Sequence, residues 1–431
     1  MAGVTIGGAG STLPDGTNIN VARQVRAIIA NAMSSTPVFV ADQNLGGAAP
    51  SVPGGQTGLV VVGDALSRNI DASHFNYQYF VVGDGTVGGG AGPVTVAGAG
   101  QLNQAVVLGT RAVTFNAGGG SGTIVGGDGP KTINIGAGTN FAVYTGAGDD
   151  TISLTSSLAF GRNTVEAGFA VTKNNIALGP APTLVRSTGN DVVSVGAGAA
   201  TIQVVGMVQD TVSGGSGSLT FIDGTGGSQV NYVTDPNTSV RLAVASSGSA
   251  TVIGGAGAGG LYRGGTSGSN LLVGGLGAVT MQGAGNGDVL IATSSVGLQV
   301  LQAGAGNETL LGSLSSSDNV FSAGSGNDLI IAGAGNDRIN AGTGSATITG
   351  GGGGDLFVFD PRFSARAQVV ITDFTPGTDH VVLQAYSAPN TAATLAASAL
   401  RVGASASKVT LSDGTTITFQ GITSVNSSFF A

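Results

Sequence analysis

Three carboxylates recur at fixed places in one short stretch of the chain. Asp328, Asp337 and Asp355 each fill the sixth place of a nine-residue block, in the ungapped run AGSGNDLII, AGAGNDRIN, AGTGSATIT, GGGGGDLFV from Ala323 to Val358. Glycines stand at Gly324, Gly333, Gly342 and Gly351, and again two places on at Gly326, Gly335, Gly344 and Gly353. The eighth place is apolar throughout: Ile330, Ile339, Ile348 and Phe357. Carboxylate oxygens beside the carbonyls of a glycine-rich turn form an oxygen-only cage, the donor set that calcium takes.

The spacing also dictates the elements that must hold those acids. The first six residues of a block read as a turn, where glycine tolerates positive φ and close backbone approach. The last three are too short for a helix and place one apolar side chain inward, as in a strand. One block cannot bury its own apolar side, so blocks must stack. With two blocks per coil, Asp337 and Asp355 share one edge, 18 positions apart, and Asp328 stacks against Ala346. This motif resembles the glycine- and aspartate-rich nonapeptide repeats of secreted RTX proteins. The resemblance implies a parallel β-roll that binds Ca2+.

Weaker copies extend the pattern. Asp288 and Glu308 keep acids in the worn repeats of 245–322, Asp150 does so in TGAGDDTIS, and Asp191 in STGNDVVS. These seven acids (Asp150, Asp191, Asp288, Glu308, Asp328, Asp337, Asp355) are the expected calcium ligands; the competing role for each is capping a turn through its carboxylate. In GGDGPKTIN, Lys131 stands beside the cage position, where a cation disfavours metal. Most other worn blocks carry Ala, Ser, Asn or Gly in the acid place. Those coils must be held by backbone ladders and turn hydrogen bonds. Calcium is therefore expected to order only part of the chain, mostly after Asp288.

Composition narrows the class. Glycine numbers 78 of 431 residues and charged residues make up only 9%, yet 41% of the chain is apolar and lies between turns, which favours folded β structure over a linker. The net charge of −8 provides no basic footprint for nucleic acid. With no cysteine, disulfides and thiol catalysis are out. The opening MAGVTIGGAG does not read as a secretory signal peptide, and no apolar run reaches membrane-spanning length.

Five segments follow: a head at 1–36, an irregular β region at 37–105, a degenerate solenoid at 106–322, the calcium-binding β-roll at 323–358, and a C-terminal β cap at 359–431. In the head, Val21, Val25 and Ile28 share a stripe that predicts a helix from about Val21 to Met33, either capping the solenoid or docking a partner. Phe75, Tyr77 and Tyr79 are expected on one strand face, serving core, subunit interface or sugar stacking. Asp413-Gly414 predicts a hairpin. The stretch VVITDFTPGTDHVVLQ resembles the segment that follows such repeats in the RTX family, and the ending SVNSSFFA resembles an uncleaved type I secretion signal.

Little points to catalysis. The two histidines, His74 and His380, lie in unrelated segments, and neither an HExxH nor a G-x-S-x-G motif occurs. The reading is an all-β protein, a parallel β-roll or β-solenoid with a short N-terminal helix and a C-terminal β cap. Its expected function is that of a secreted, calcium-binding structural protein. It would leave through type I secretion machinery and self-assemble head to tail into an extracellular filament, matrix or surface layer. The alternative is a secreted β-solenoid that binds or modifies polysaccharide, as a lyase or epimerase would, with cell-surface polysaccharide as its partner.

Overall fold

A computed structural model describes residues 27, 29, 31, 34, 38–42, 47–63, 66–73, 76–83, 92–98, 100, 103–154, 161–168, 173–205, 209–213, 219–222, 229–233, 240–244, 249–254, 260–266, 268–387 and 389–431. The chain is an all-β parallel solenoid in two compact units, residues 1–219 and 220–431. In each, successive strands of the solenoid alternate between two parallel sheets, so a strand pairs with the strand two places along.

In the first unit, one sheet contains Thr57–Val62, Tyr77–Val82, Asn103–Leu108, Gly120–Gly126, Gly138–Tyr144, Asn163–Ala167, Thr183–Ser187 and Ala200–Val204. Its inward column runs Val60, Phe80, Val106, Ile124, Val143, Val165, Val185, Ile202, each in register with the next and none exposed. The facing sheet stacks Ile133, Ile152, Ile176, Val193 and Val212 in the same way. One apolar side chain per strand suffices because stacking removes both its neighbours' faces from water.

The second unit repeats the plan. Tyr262, Met281, Leu301, Phe321, Ile339, Phe357 and Val381 form one column. Leu272, Leu290, Leu310, Ile330, Ile348 and Ile371 form the other. The eighth place of each nonapeptide block is thus the inward position.

The C-terminal residues close this unit. Thr416–Gln420 adds in parallel to Gln368–Ile371, and Ala406–Thr410 then pairs with it antiparallel through the expected hairpin, with Gly414 at φ +88°. Phe357, Phe374, Phe419 and Phe429 form a linked aromatic cluster beneath it, with ring centroids 4.9–5.9 Å apart. The Ala431 N–H donates to the Val381 carbonyl, which covers part of the end strand of the first column's sheet, His380–Leu383.

Two expectations need correction. The N-terminal helix is not matched by a complete element: only Ala27, Ile29 and Asn31 of that stretch are described, with helical backbone, while Val21, Val25 and Ile28 lie outside the described residues. Ile29 rests on the outer face of the first sheet, against Leu59, Val81, Ala105, Val107 and Val125. The complete helix among the described residues is Ala392–Ser398, capped by Thr391. The aromatic row also fails. A register shift pairs Gly58 with Tyr77 but Leu59 with Tyr79, so the two tyrosines face opposite ways. Tyr77 is fully buried and donates its hydroxyl to the Pro50 carbonyl at 2.7 Å, whereas Tyr79 packs on the outer cluster. Phe75 lies outside the described residues.

Candidate metal centre

The turns bring the acids into columns, one rung apart. On one edge of the second unit, Gln299, Asn319, Asp337, Asp355 and Asp379 occupy equivalent positions where successive strands begin. Each side chain from Asn319 onward accepts a hydrogen bond from the backbone N–H of the residue one rung earlier. Asn319 N–H donates to Asp337 Oδ1 at 2.7 Å, Asp337 N–H to Asp355 Oδ1 at 2.8 Å, and Asp355 N–H to Asp379 Oδ1 at 3.0 Å. The second oxygen turns to its own loop: Asp337 Oδ2 accepts from Gly333 N–H at 2.8 Å and Asp379 Oδ2 from Thr375 N–H at 2.8 Å.

Asp355 breaks that rule. Its Oδ2 is buried and has no hydrogen-bond partner. Glycine creates the space for it, since a Cβ at Gly350 would collide with this oxygen. Burial pushes the Asp355 carboxyl up to about 7, and the negative charges of Asp379, Asp337 and Asp373 push the same way against the lowering bond from Asp337 N–H. Burial likewise raises Asp337. An anion held among acids with one open oxygen calls for a cation. Among the described residues, no three His, Asp or Glu side chains are placed to hold one metal ion. A hard cation here would complete its shell from turn carbonyls, as calcium does.

The match to known families agrees with this geometry. The RTX calcium-binding nonapeptide repeat family, in four copies, matches residues 264–294, 313–348 and 322–357. These stretches of the chain are RTX calcium-binding nonapeptide repeats. No curated protein matches it.

The opposite edge of the RTX unit carries the second column: Asn270, Asp288, Glu308, Asp328 and then Ala346. Asp288 Oδ1 accepts from Asn270 N–H at 2.8 Å, and its Oδ2 accepts from Ala284 and Gly285 N–H at 2.8 and 3.1 Å. Asp328 accepts from Glu308 N–H at 3.0 Å and from Gly324 N–H at 3.1 Å. Glu308 lies between these two acids, 1% exposed, and no donor reaches either of its oxygens. Burial, then a side-chain hydrogen bond with the Asp328 carboxyl and the negative charges of Asp328 and Asp288, push it up to about 8. Asp355 thus has an oxygen open to a ligand and Glu308 meets only the neighbouring Asp328 carboxyl, while Asp288, Asp328 and Asp337 already cap turns. The donor set fits Ca2+, which would supply the positive charge that these two buried carboxyls otherwise lack.

In the first unit, Lys131, Asp150, Asn174, Asp191 and Asp210 form one column. Asn174 separates Asp150 from Asp191, so the structure does not make them neighbours. Burial raises both acids, Asp191 to about 6. Asp149, next to Asp150, points outward and accepts from Lys173 N–H at 3.3 Å.

Two acids escaped the nine-residue count. Asp379 completes the first column, and Asp373 accepts from Gly350 and Gly351 N–H, both at 2.8 Å. A longer turn, with Asp379 coming 24 residues after Asp355, breaks the beat. The signal that remained was local: GTDHVV ends as GNDRIN and GGDLFV do, with glycine, one residue, an acid and a strand.

Proposed function

We propose that this protein is a secreted, calcium-binding structural protein that assembles laterally with copies of itself in an extracellular matrix or surface layer. The calcium part rests on the buried open oxygen of Asp355 within an RTX repeat column. The seven acids named from sequence keep the proposed roles: Asp355 and Glu308 as the primary ligands, Asp337, Asp328 and Asp288 as acids that both cap and flank them, and Asp150 and Asp191 as a separate, weaker set. Export follows from the RTX resemblance, with the C-terminal residues read by type I secretion machinery. No helix among the described residues is long and apolar enough to cross a membrane.

The assembly part is supported by an apolar row. Leu276, Val296, Leu298 and Leu314 sit on consecutive turns of one edge of the second unit, and Val296 and Leu314 are 86% and 70% exposed. Rows of exposed aliphatic side chains mark surfaces that associate. The covered strand His380–Leu383 argues for a lateral contact rather than stacking through that end. Electron microscopy with light scattering, in millimolar calcium and after chelation, tests this reading. Ordered assemblies that disperse on chelation support it, and single particles under both conditions contradict it.

A groove favours the polysaccharide reading as second choice. Gln302, Asn340, Gln384, Asp360, Arg362 and Phe363 line a cleft of 630 Å³ in the second unit. Phe363 is 65% exposed, with the Arg362 guanidinium over its ring. Amides beside an open aromatic suit sugar rings. Binding of soluble polysaccharides that is lost in Phe363→Ala would promote it.

A further inference from the structure

The worn repeats lack acids but not order, and their turns share a feature. Where an acid would stand, a buried side chain aims N–H groups at the turn carbonyls. Asn319 shows the logic. Its Oδ1 accepts from Gln299 N–H at 3.2 Å, the same task that Asp337 Oδ1 performs one rung on. Its Nδ2, in place of a second carboxylate oxygen, donates to the Ser317 carbonyl at 2.7 Å and to Ser315 Oγ at 2.9 Å.

Four other side chains repeat it on other rungs. Gln299 Nε2 donates to the Gly275 and Gly277 carbonyls at 2.9 and 2.8 Å. Asn270 Nδ2 donates to the Gly265 carbonyl at 2.9 Å and to Asp288 Oδ1 at 2.7 Å. Asn174 Nδ2 donates to the Gly168 carbonyl at 2.9 Å and to Asp191 Oδ1 at 2.7 Å. Lys131 Nζ donates to the Asp128 and Gly129 carbonyls at 3.0 and 2.7 Å, while its backbone N–H reaches Asp150 Oδ1. All five side chains are at most 2% exposed. Burying an ammonium group is costly unless oxygens surround it, so Lys131 is placed where carbonyl oxygens converge.

We infer that these five side chains are built-in substitutes for calcium and exclude it from their turns. A turn whose carbonyls converge needs positive charge or N–H donors. An acid rung takes the charge from a cation; an amide or ammonium rung carries its own donors. The chain is thus divided into acid rungs, foremost those around Glu308 and Asp355, that take a metal and self-held rungs at these five positions, and the residue type at the column position decides which. This rests on the calcium reading given above.

The boundary residue Asn319 tests it, in the full-length protein. Bound calcium is counted by equilibrium dialysis, and exchange of the amides of 312–322 is followed with calcium and with chelator. Asn319→Asp extends the acid column Asp337–Asp355–Asp379 and is expected to bind one more calcium than wild type. Its 312–322 amides should exchange about tenfold faster in chelator and recover with calcium. Asn319→Ala, with neither donor nor charge, should exchange faster under both conditions. Unchanged stoichiometry in Asn319→Asp, together with exchange that calcium does not slow, would overturn the inference. So would wild-type exchange at 312–322 that depends on calcium. A wild-type protein that binds no calcium defeats the calcium reading itself; unaltered exchange in Asn319→Ala then separately defeats the donor role.

Discussion

Asp337 donates its backbone N–H to Asp355 Oδ1 at 2.8 Å, and Asp355 Oδ2, on the same carboxyl, is buried with no partner. One oxygen ties two rungs together and the other lies unpartnered beside Gly350. Asp355→Asn keeps the first bond and replaces the unpartnered buried oxygen with an N–H donor. It is expected to raise the melting temperature in chelator by a few degrees, on the scale of one buried hydrogen bond of about 1 kcal/mol. It should also reduce the stabilisation by calcium. Thermal melts of both proteins, with and without calcium, check this; a variant that keeps the full calcium shift contradicts it.

The same carboxyls set a pH dependence. Asp355 is pushed up to about 7 and Glu308 to about 8, against about 4 in an unfolded chain. Acids raised on folding favour the fold most below their unfolded value, and that contribution is lost as pH rises through the folded value. In chelator, the melting temperature should therefore fall between about pH 5 and 8. Calcium should flatten the fall. Melts that are independent of pH over this window without calcium would show that neither acid is held as described.

Glycine at the turn is a steric requirement at Gly353. Its φ is +104°, and a Cβ there would strike the Gly335 carbonyl oxygen of the preceding coil. Gly353→Ala should cost about 1–3 kcal/mol, seen as a lower urea midpoint that saturating calcium does not fully restore.

The C-terminal cap holds by aromatic packing. Phe419 is fully buried against Phe374 and Phe429, at 5.0 and 5.9 Å between centroids. Phe419→Ala should cost about 3–5 kcal/mol. Proteolysis would then begin in residues 400–431. Cleavage that starts elsewhere at an unchanged rate argues against this role.

The apolar row makes a prediction of its own. Replacing Val296, Leu298 and Leu314 together by Ser should leave the melting temperature and calcium binding near wild type, because these side chains are exposed. Assembly measured by light scattering should fall.

Much of this could be read from residues, and the failures have physical causes. The nine-residue beat placed the inward column at Ile330, Ile339, Ile348 and Phe357 and put Asp337 opposite Asp355 and Asp328 opposite Ala346. It failed where the period slipped, so Asp373 and Asp379 were missed. Alternation failed at Tyr77 and Tyr79 because a bulge adds a residue between them, and no composition signal marks it. The donor turns were legible only as an absence of acids. That Lys131 and Asn319 aim at carbonyls depends on how coils stack, which spacing alone does not reveal.

Hydrogen exchange across residues 128–134 and 303–357, with and without calcium, decides whether cations hold the acid columns. Calcium is predicted to slow exchange in the turns around Glu308 and Asp355 while leaving 128–134, beside Lys131, unchanged. Exchange around Asp355 that is the same in calcium and in chelator would contradict a metal-held column.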